Sequence, residues 1–172
     1  VRSDPVVQRL GLLEGEHELM LDWDYFGTPF RSHLDCLGKA TRGPRKGRRH
    51  LWDLKTTTSA KPEKFHWEAR RYHYPAQLAT YEDAARTALR QTVDDTYIVA
   101  VEKDAPYCVV VYEVDAALRE EGRRLVRGWL ERYNVCKATG VWPGYVQDVV
   151  PMGVLAAGAE ELGAPITLIM ED

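Results

Sequence analysis

The chain has 172 residues, a formal net charge of -3, 45% apolar and 28% charged residues, which is an ordinary composition for one soluble domain with a real core. No stretch approaches the ~20 apolar residues of a membrane span. The three cysteines, Cys36, Cys108 and Cys136, cannot build a four-cysteine iron–sulfur cluster and lack zinc-site spacing, so they read as free thiols in a reducing cytosol.

The opening Val1-Arg2-Ser3-Asp4-Pro5 has no apolar h-region, so no signal peptide is expected, and the missing initiator Met suggests residues upstream. Asp4 as N-cap and Pro5 at the first helical position predict a short helix over 4–13. Residues 17–25 alternate as a strand, Gly27-Thr28-Pro29 turns, and Phe30 to Leu37 returns as a second strand ending near Asp35. A loop follows in which Lys39, Arg42, Arg45, Lys46, Arg48 and Arg49 crowd around Gly43, Pro44 and Gly47. Two readings of it are open, a contact for a polyanion and a solvated hairpin tip. His50 to Thr56 is the third strand of an antiparallel meander.

Residues 61–90 read as helical, with Pro75 separating a shorter helix from a longer one, because proline is tolerated in a first turn and not in an interior. Thr96–Val101 and Tyr107–Val114 read as strands, and 115–138 as a long helix carrying Leu118, Leu125, Val126, Trp129, Leu130 and Tyr133 at helical spacing. The tail suggests a short helix within 151–163 and an edge strand over Ile166–Met170. This order predicts a single α/β (α+β) domain, a central mixed β-sheet flanked by helices. Trp23, Trp52, Trp67 and Trp129 are expected in the core or at its edge, and His66 and His73 at the surface.

The chemistry concentrates at Asp53-Leu54-Lys55. Strand alternation puts Asp53 and Lys55 on one face, and Asp35 closes the preceding strand. Hydrolysis of a phosphodiester needs a deprotonated water and neutralised phosphoryl charge, which one or two Mg²⁺ ions can supply. Mg²⁺ takes oxygen ligands and keeps several waters, so Asp35, Asp53 and the Leu54 carbonyl suffice as protein donors. Lys55 can then hold the water and offset negative charge. Gln77 and Tyr81, four apart, share one helix face, which also carries Tyr74 nearby. Taken alone, Asp-x-Lys is equally a surface ion pair.

Asp35, then Asp53-Leu54-Lys55-Thr56-Thr57, then Tyr74-x-x-Gln77-x-x-x-Tyr81 together resemble the PD-(D/E)xK nuclease superfamily. Within it the chain is similar to the RecE-type (exonuclease VIII) exonucleases, and more distantly to the RecB nuclease domain and lambda exonuclease. The segment Phe30–Asp35 resembles the strand bearing the family's first Asp, and 136–145 resembles the end of RecE-like domains. The likeness covers about residues 1–146, leaving 147–172 as a C-terminal extension. It implies a restriction-endonuclease-like core, metal binding by Asp35 and Asp53, and Lys55 as the catalytic lysine. Gln77 and Tyr81 match the Gln-x-x-x-Tyr motif of the RecB-like branch.

The resemblance further implies an Mg²⁺- or Mn²⁺-dependent 5′-to-3′ exonuclease on linear duplex DNA, serving recombination in a bacterial or phage-infected cytoplasm. A single-strand annealing protein is the implied partner and a homo-oligomer the implied assembly, with no membrane association. Alternatives are an endonuclease or single-strand-specific nuclease of the same fold, or a silent DNA-binding module. Arg45, Lys46, Arg48 and Arg49 are expected to hold DNA phosphates, and Lys61, Lys64, Arg70 and Arg71 are either backbone contacts or a solvated face. Two departures stand out. Leu34 replaces the family's proline, and the family's upstream His or Glu is not evident. His17 and Glu18 are the nearest candidates, with an upstream helix before Val1 the expected source.

Overall fold

The computed structural model describes residues 1–146 and 149, so the helix and strand expected after residue 150 lie outside the described residues. The elements are α1 (Pro5–Leu10), β1 (Glu16–Tyr25), β2 (Thr28–Lys39), β3 (Arg49–Thr57), α2 (Pro62–Arg71), α3 (Tyr74–Ala88), β4 (Asp95–Glu102), β5 (Val109–Glu113) and α4 (Ala116–Thr139). Residues 1–135 form one compact unit; residues 136–172 form a second, in which α4 ends and Gly140 adopts a left-handed φ of 72°. The mixed sheet flanked by helices is the predicted architecture.

Strand order is sequential, β1-β2-β3-β4-β5. β1–β2, β2–β3 and β4–β5 are antiparallel, and β3–β4 is parallel. A parallel neighbour needs a crossover rather than a hairpin, and α2 with α3 supplies it. α1 is shorter than expected. Asp4 caps it by accepting from the Val6 and Val7 amides, and Gly11 closes it at φ 68°. β2 is longer than expected because it pairs along nearly all of β1. The α2–α3 break falls at Tyr72–His73, not at Pro75; His73 takes a left-handed φ of 54°, and Pro75 sits in the first turn of α3.

Two apolar clusters cover the two faces of the sheet. One joins Leu21, Trp23, Leu34, Leu51 and Ile98 to Phe65, Leu78, Val126 and Leu130 from the helices. The other, beneath α1, gathers Val7, Leu12, Cys36, Trp52, Tyr97 and Val99. Cys36 points into this second cluster, and burial pushes its thiol pKa up to about 12. Trp23 and Trp52 are buried and Trp129, 39% exposed, sits at the core edge, but Trp67 is 76% exposed, which corrects its placement. Trp129 lies at the margin of the Val126/Leu130 stripe, where a helix face leaves the core.

Helix α3 is fixed by buried charge. Glu82 accepts from the Thr96 hydroxyl and from Arg119 and Arg123, and Asp83 accepts from Tyr25, Arg86 and Arg123. Burial opposes the Arg123 charge, but Asp83 and Glu82 hold its pKa raised. Gly122 of α4 lies against the Pro75 carbonyl and Ala76 amide, with no room for a Cβ. A Gly122→Ala substitution is expected to push α4 off the start of α3 and cost about 1–3 kcal/mol in urea denaturation.

His50, on β3 beneath α1, is 2% exposed with both ring nitrogens outside hydrogen-bond geometry. Burial pushes its pKa down, against the opposing pull of the Glu14 carbonyl and carboxylate and of Asp95. The native imidazole therefore stays neutral where an unfolded one, with a pKa of about 6.5, takes a proton. Stability is fully present above that pH and falls as the pH drops toward the lowered native value, by up to about 1.4 kcal/mol per pH unit. Denaturation midpoints from pH 7.5 to 5 are expected to lose this slope in His50→Leu.

Candidate active site

The β2–β3 ladder runs only from Lys39–Arg49 to Cys36–Trp52, and beyond it the strands part. Asp35 and Asp53 are the next residues in that register, so both carboxylates stand where the sheet opens. Opposite Asp35 on the other side, Glu18 interrupts the β1–β2 ladder with a positive φ of 53°. Leu34 joins the helix-side cluster and Cys36 the α1-side cluster, so the side-chain alternation slips at Asp35. The turned Asp35 carboxylate accepts from the Leu54 amide at 2.6 Å.

Asp53 is 2% exposed. Its Oδ2 lies 2.5 Å from Lys55 Nζ, a close ionic contact that engages one side of the oxygen and leaves its other lone pair open. Burial raises the Asp53 pKa; Lys55 opposes that rise and Asp35 adds to it. Gln77 is the hub of the remaining contacts. Its Oε1 accepts from Lys55 Nζ at 2.8 Å, and its Nε2 donates to Tyr81 Oη at 2.7 Å and to Asp53 Oδ1 at 3.4 Å. Burial raises the Tyr81 pKa, the Gln77 hydrogen bond opposes this, and Asp53 and Asp35 reinforce it, so the phenol stays neutral.

All five predicted catalytic side chains thus meet at the strand parting, four of them in one connected network. Two contributors are not evident from the sequence motifs. Lys55 Nζ sits 4.7 Å from the centre of the Tyr74 ring, and Tyr74 shares the expected Gln77 face without an assigned role. Thr57 donates to Glu68 at 2.7 Å, and its place two residues beyond Lys55 could have indicated it. Neither His17 nor Glu18 joins the site: His17 meets the Leu13 carbonyl and the Trp52 ring, and Glu18 pairs with His33.

Two cations of the basic loop are ion-paired within the domain. Arg45 bridges Asp95 and Glu113, and Arg48 pairs with Asp95, so loop charge is already neutralised by the sheet. Arg49 bonds Gln91. Arg70 pairs with Glu121, while the Arg71 guanidinium lies 5.8 Å from the Tyr72 ring centre.

Two clefts flank the site. One, about 560 Å³, is mostly apolar and includes Tyr72, His73, Gln77, Thr80 and Trp129 in its walls. The other, about 520 Å³, is formed by Thr56, Thr57, Thr58, Glu68, Tyr74 and Lys103, with Tyr72 again at its margin.

Two carboxylates for one ammonium leave a net negative pocket, and the open Asp53 oxygen gives it a hard donor suited to Mg²⁺ or Mn²⁺. Among the described residues no cluster of three or more His, Cys, Asp or Glu side chains is present. A mixed sheet presenting Asp and Asp-x-Lys to a Gln-x-x-x-Tyr helix defines a domain of the PD-(D/E)xK class. The chain belongs to DUF3799, the PDDEXK-like domain of unknown function, whose model matches residues 1–149.

No curated protein matches the sequence. The fold is similar to that of a candidate exonuclease from Eubacterium rectale, with a TM-score of 0.64 and 17% identity over 89% of this chain. The chain spans 59% of that protein's length. The structure of SSO0001 overlaps more loosely, with a TM-score of 0.35 and 17% identity over 64% of this chain and 50% of that one.

The Asp53–Lys55 contact yields a signed stability prediction. Lys55→Met leaves the buried carboxylate uncompensated and raises its pKa further. A raised carboxylate pKa gives stability that is present below the unfolded value and lost as pH rises through the folded one. The variant is therefore expected to lose about 3–5 kcal/mol at pH 7.5 and less at pH 5, measured by urea denaturation without divalent metal.

Proposed function

We propose that this domain is a metal-dependent deoxyribonuclease that hydrolyses linear duplex DNA from an end, in the 5′-to-3′ direction, with Mg²⁺ or Mn²⁺. The observation that carries this reading is the linked Asp53–Lys55–Gln77–Tyr81 constellation beside Asp35, in which a buried carboxylate oxygen keeps an open lone pair. Membership of a PDDEXK-like family supports it. A fold shared with a candidate exonuclease agrees with it.

Asp35, Asp53 and the Leu54 carbonyl would hold the cation. Bound there, it supplies a Lewis acid to the phosphoryl oxygens and lowers the pKa of a coordinated water. Lys55 orients the attacking water and offsets charge that develops on phosphorus-bound oxygens. Gln77 fixes the Lys55 ammonium, and Tyr81 fixes the Gln77 amide. Lys46 and Arg49 remain in the proposal as phosphate contacts of the basic loop. A role in recombination, a single-strand annealing partner, a ring-like homo-oligomer and a cytoplasmic setting complete it, on the RecE-like resemblance alone. Among the described residues no helix is long and apolar enough to cross a membrane.

A second reading, a DNA-binding module without turnover, is favoured by the absence of a third metal-ligating side chain among the described residues. Degradation of end-labelled linear duplex separates the two. Asp53→Ala is expected to abolish Mg²⁺-dependent product and the metal-induced rise in thermal midpoint, with its circular dichroism spectrum unchanged. Full activity in that variant overturns the site. DNA binding by the wild type with no metal-dependent product favours the silent module, and cleavage of closed circular DNA favours an endonuclease.

A further inference from the structure

Resting on that nuclease reading, we infer that the apolar cleft beside Gln77 is a stacking subsite for unpaired nucleobases, so the strand being cut reaches the site single-stranded. The cleft volume, about 560 Å³, is within the range of small-ligand sites. Its walls carry rings and almost no charge, which suits neither phosphate nor the outside of a duplex. The π-faces of bases are available to protein rings only where pairing has been lost.

Two of those rings face water: Tyr72 is 57% and Trp129 39% exposed. Both are already oriented. His73 meets Trp129 edge-on at 5.2 Å, and Tyr72 stacks on Tyr74 at 5.8 Å. Rings held in place lose little freedom when a base stacks on them.

The cleft is continuous with the chemistry. Gln77 belongs to both, and Tyr74 joins Tyr72 to the Lys55 ammonium. The Arg71 guanidinium beside the Tyr72 ring supplies a cation for the phosphates of a strand whose bases lie in the cleft. A single-stranded end matches this combination of aromatic wall, adjacent cation and shared Gln77.

The test is fluorescence anisotropy in chelator, which separates binding from hydrolysis. The probes are an oligothymidylate of about 12 nucleotides and an abasic strand of equal length, which keeps the phosphates and lacks the bases. The thymidylate is expected to bind the wild type about tenfold or more tighter than the abasic strand. Tyr72→Ala and Trp129→Ala are each expected to bring that ratio toward one while leaving abasic binding unchanged. Trp129→Phe keeps a ring and is expected to preserve the ratio, which separates stacking from a folding defect. Equal binding of the two strands to the wild type overturns the inference, as does an unchanged ratio in both alanine variants. So does a dimer that dissociates in Trp129→Ala, since a second copy would then occupy the cleft. Mg²⁺-dependent hydrolysis with no base dependence of binding overturns the stacking subsite and leaves the nuclease reading standing.

Discussion

A carboxylate taken out of water must be compensated by groups that do not move, and Asp53 imposes that requirement on the whole domain. Strand alternation brings Lys55 to it, but an ammonium on a four-carbon stem has many places to go. Gln77 restricts it, and Tyr81 restricts Gln77. Because these two residues lie one turn apart on α3, the helix must cross the sheet at one height and one rotation. The rest of the fold meets that demand. Gly122 lets α4 close on the first turn of α3, and Glu82 and Asp83 tie the far half of α3 to β1, β4 and α4.

The buried charges fall into clusters of opposite design. At the brace, Glu82 and Asp83 face Arg86, Arg119 and Arg123, so each buried carboxylate has guanidinium partners. At the parting of β2 and β3, Asp53 contacts Lys55, while Asp35 accepts from the Leu54 amide. A structural cluster gains nothing from an acid surplus, since like charges raise each other's cost of ionisation. The surplus at the parting is stabilised only when something positive arrives from outside. This asymmetry distinguishes the site from the brace more clearly than the number of ionisable residues does.

The parts of this arrangement written in local periodicity are legible in the amino-acid sequence. Period two places Asp53 with Lys55, and a spacing of four places Gln77 with Tyr81. The meander and the crossover follow from strand and helix lengths. What the sequence conceals depends on contacts distant along the chain. Arg45 and Arg48 look like free loop cations until Asp95 and Glu113 arrive from β4 and β5. Proline marks where a helix can start, so Pro75 is compatible with a break two residues earlier, at His73. Trp67 shows the weakness of reading burial from residue type, because an aromatic ring on a helix does not reveal which face meets solvent.

The slip at Asp35 is the least visible of these features and bears most on the site. Had the β2–β3 ladder continued, Asp35 and Asp53 would form a cross-strand pair with Cβ atoms about 4.5–5.5 Å apart, where like charges destabilise a sheet. Instead the ladder ends one residue earlier, and the Leu54 amide, released from strand pairing on that side, turns to the Asp35 carboxylate. A positive φ at Glu18 accompanies the change on the other flank of β2. A left-handed glutamate has a conformational cost, and such irregularities persist where the surrounding structure over-determines them. Here the irregularity separates two strands that would otherwise pair, and so keeps two carboxylates facing one opening.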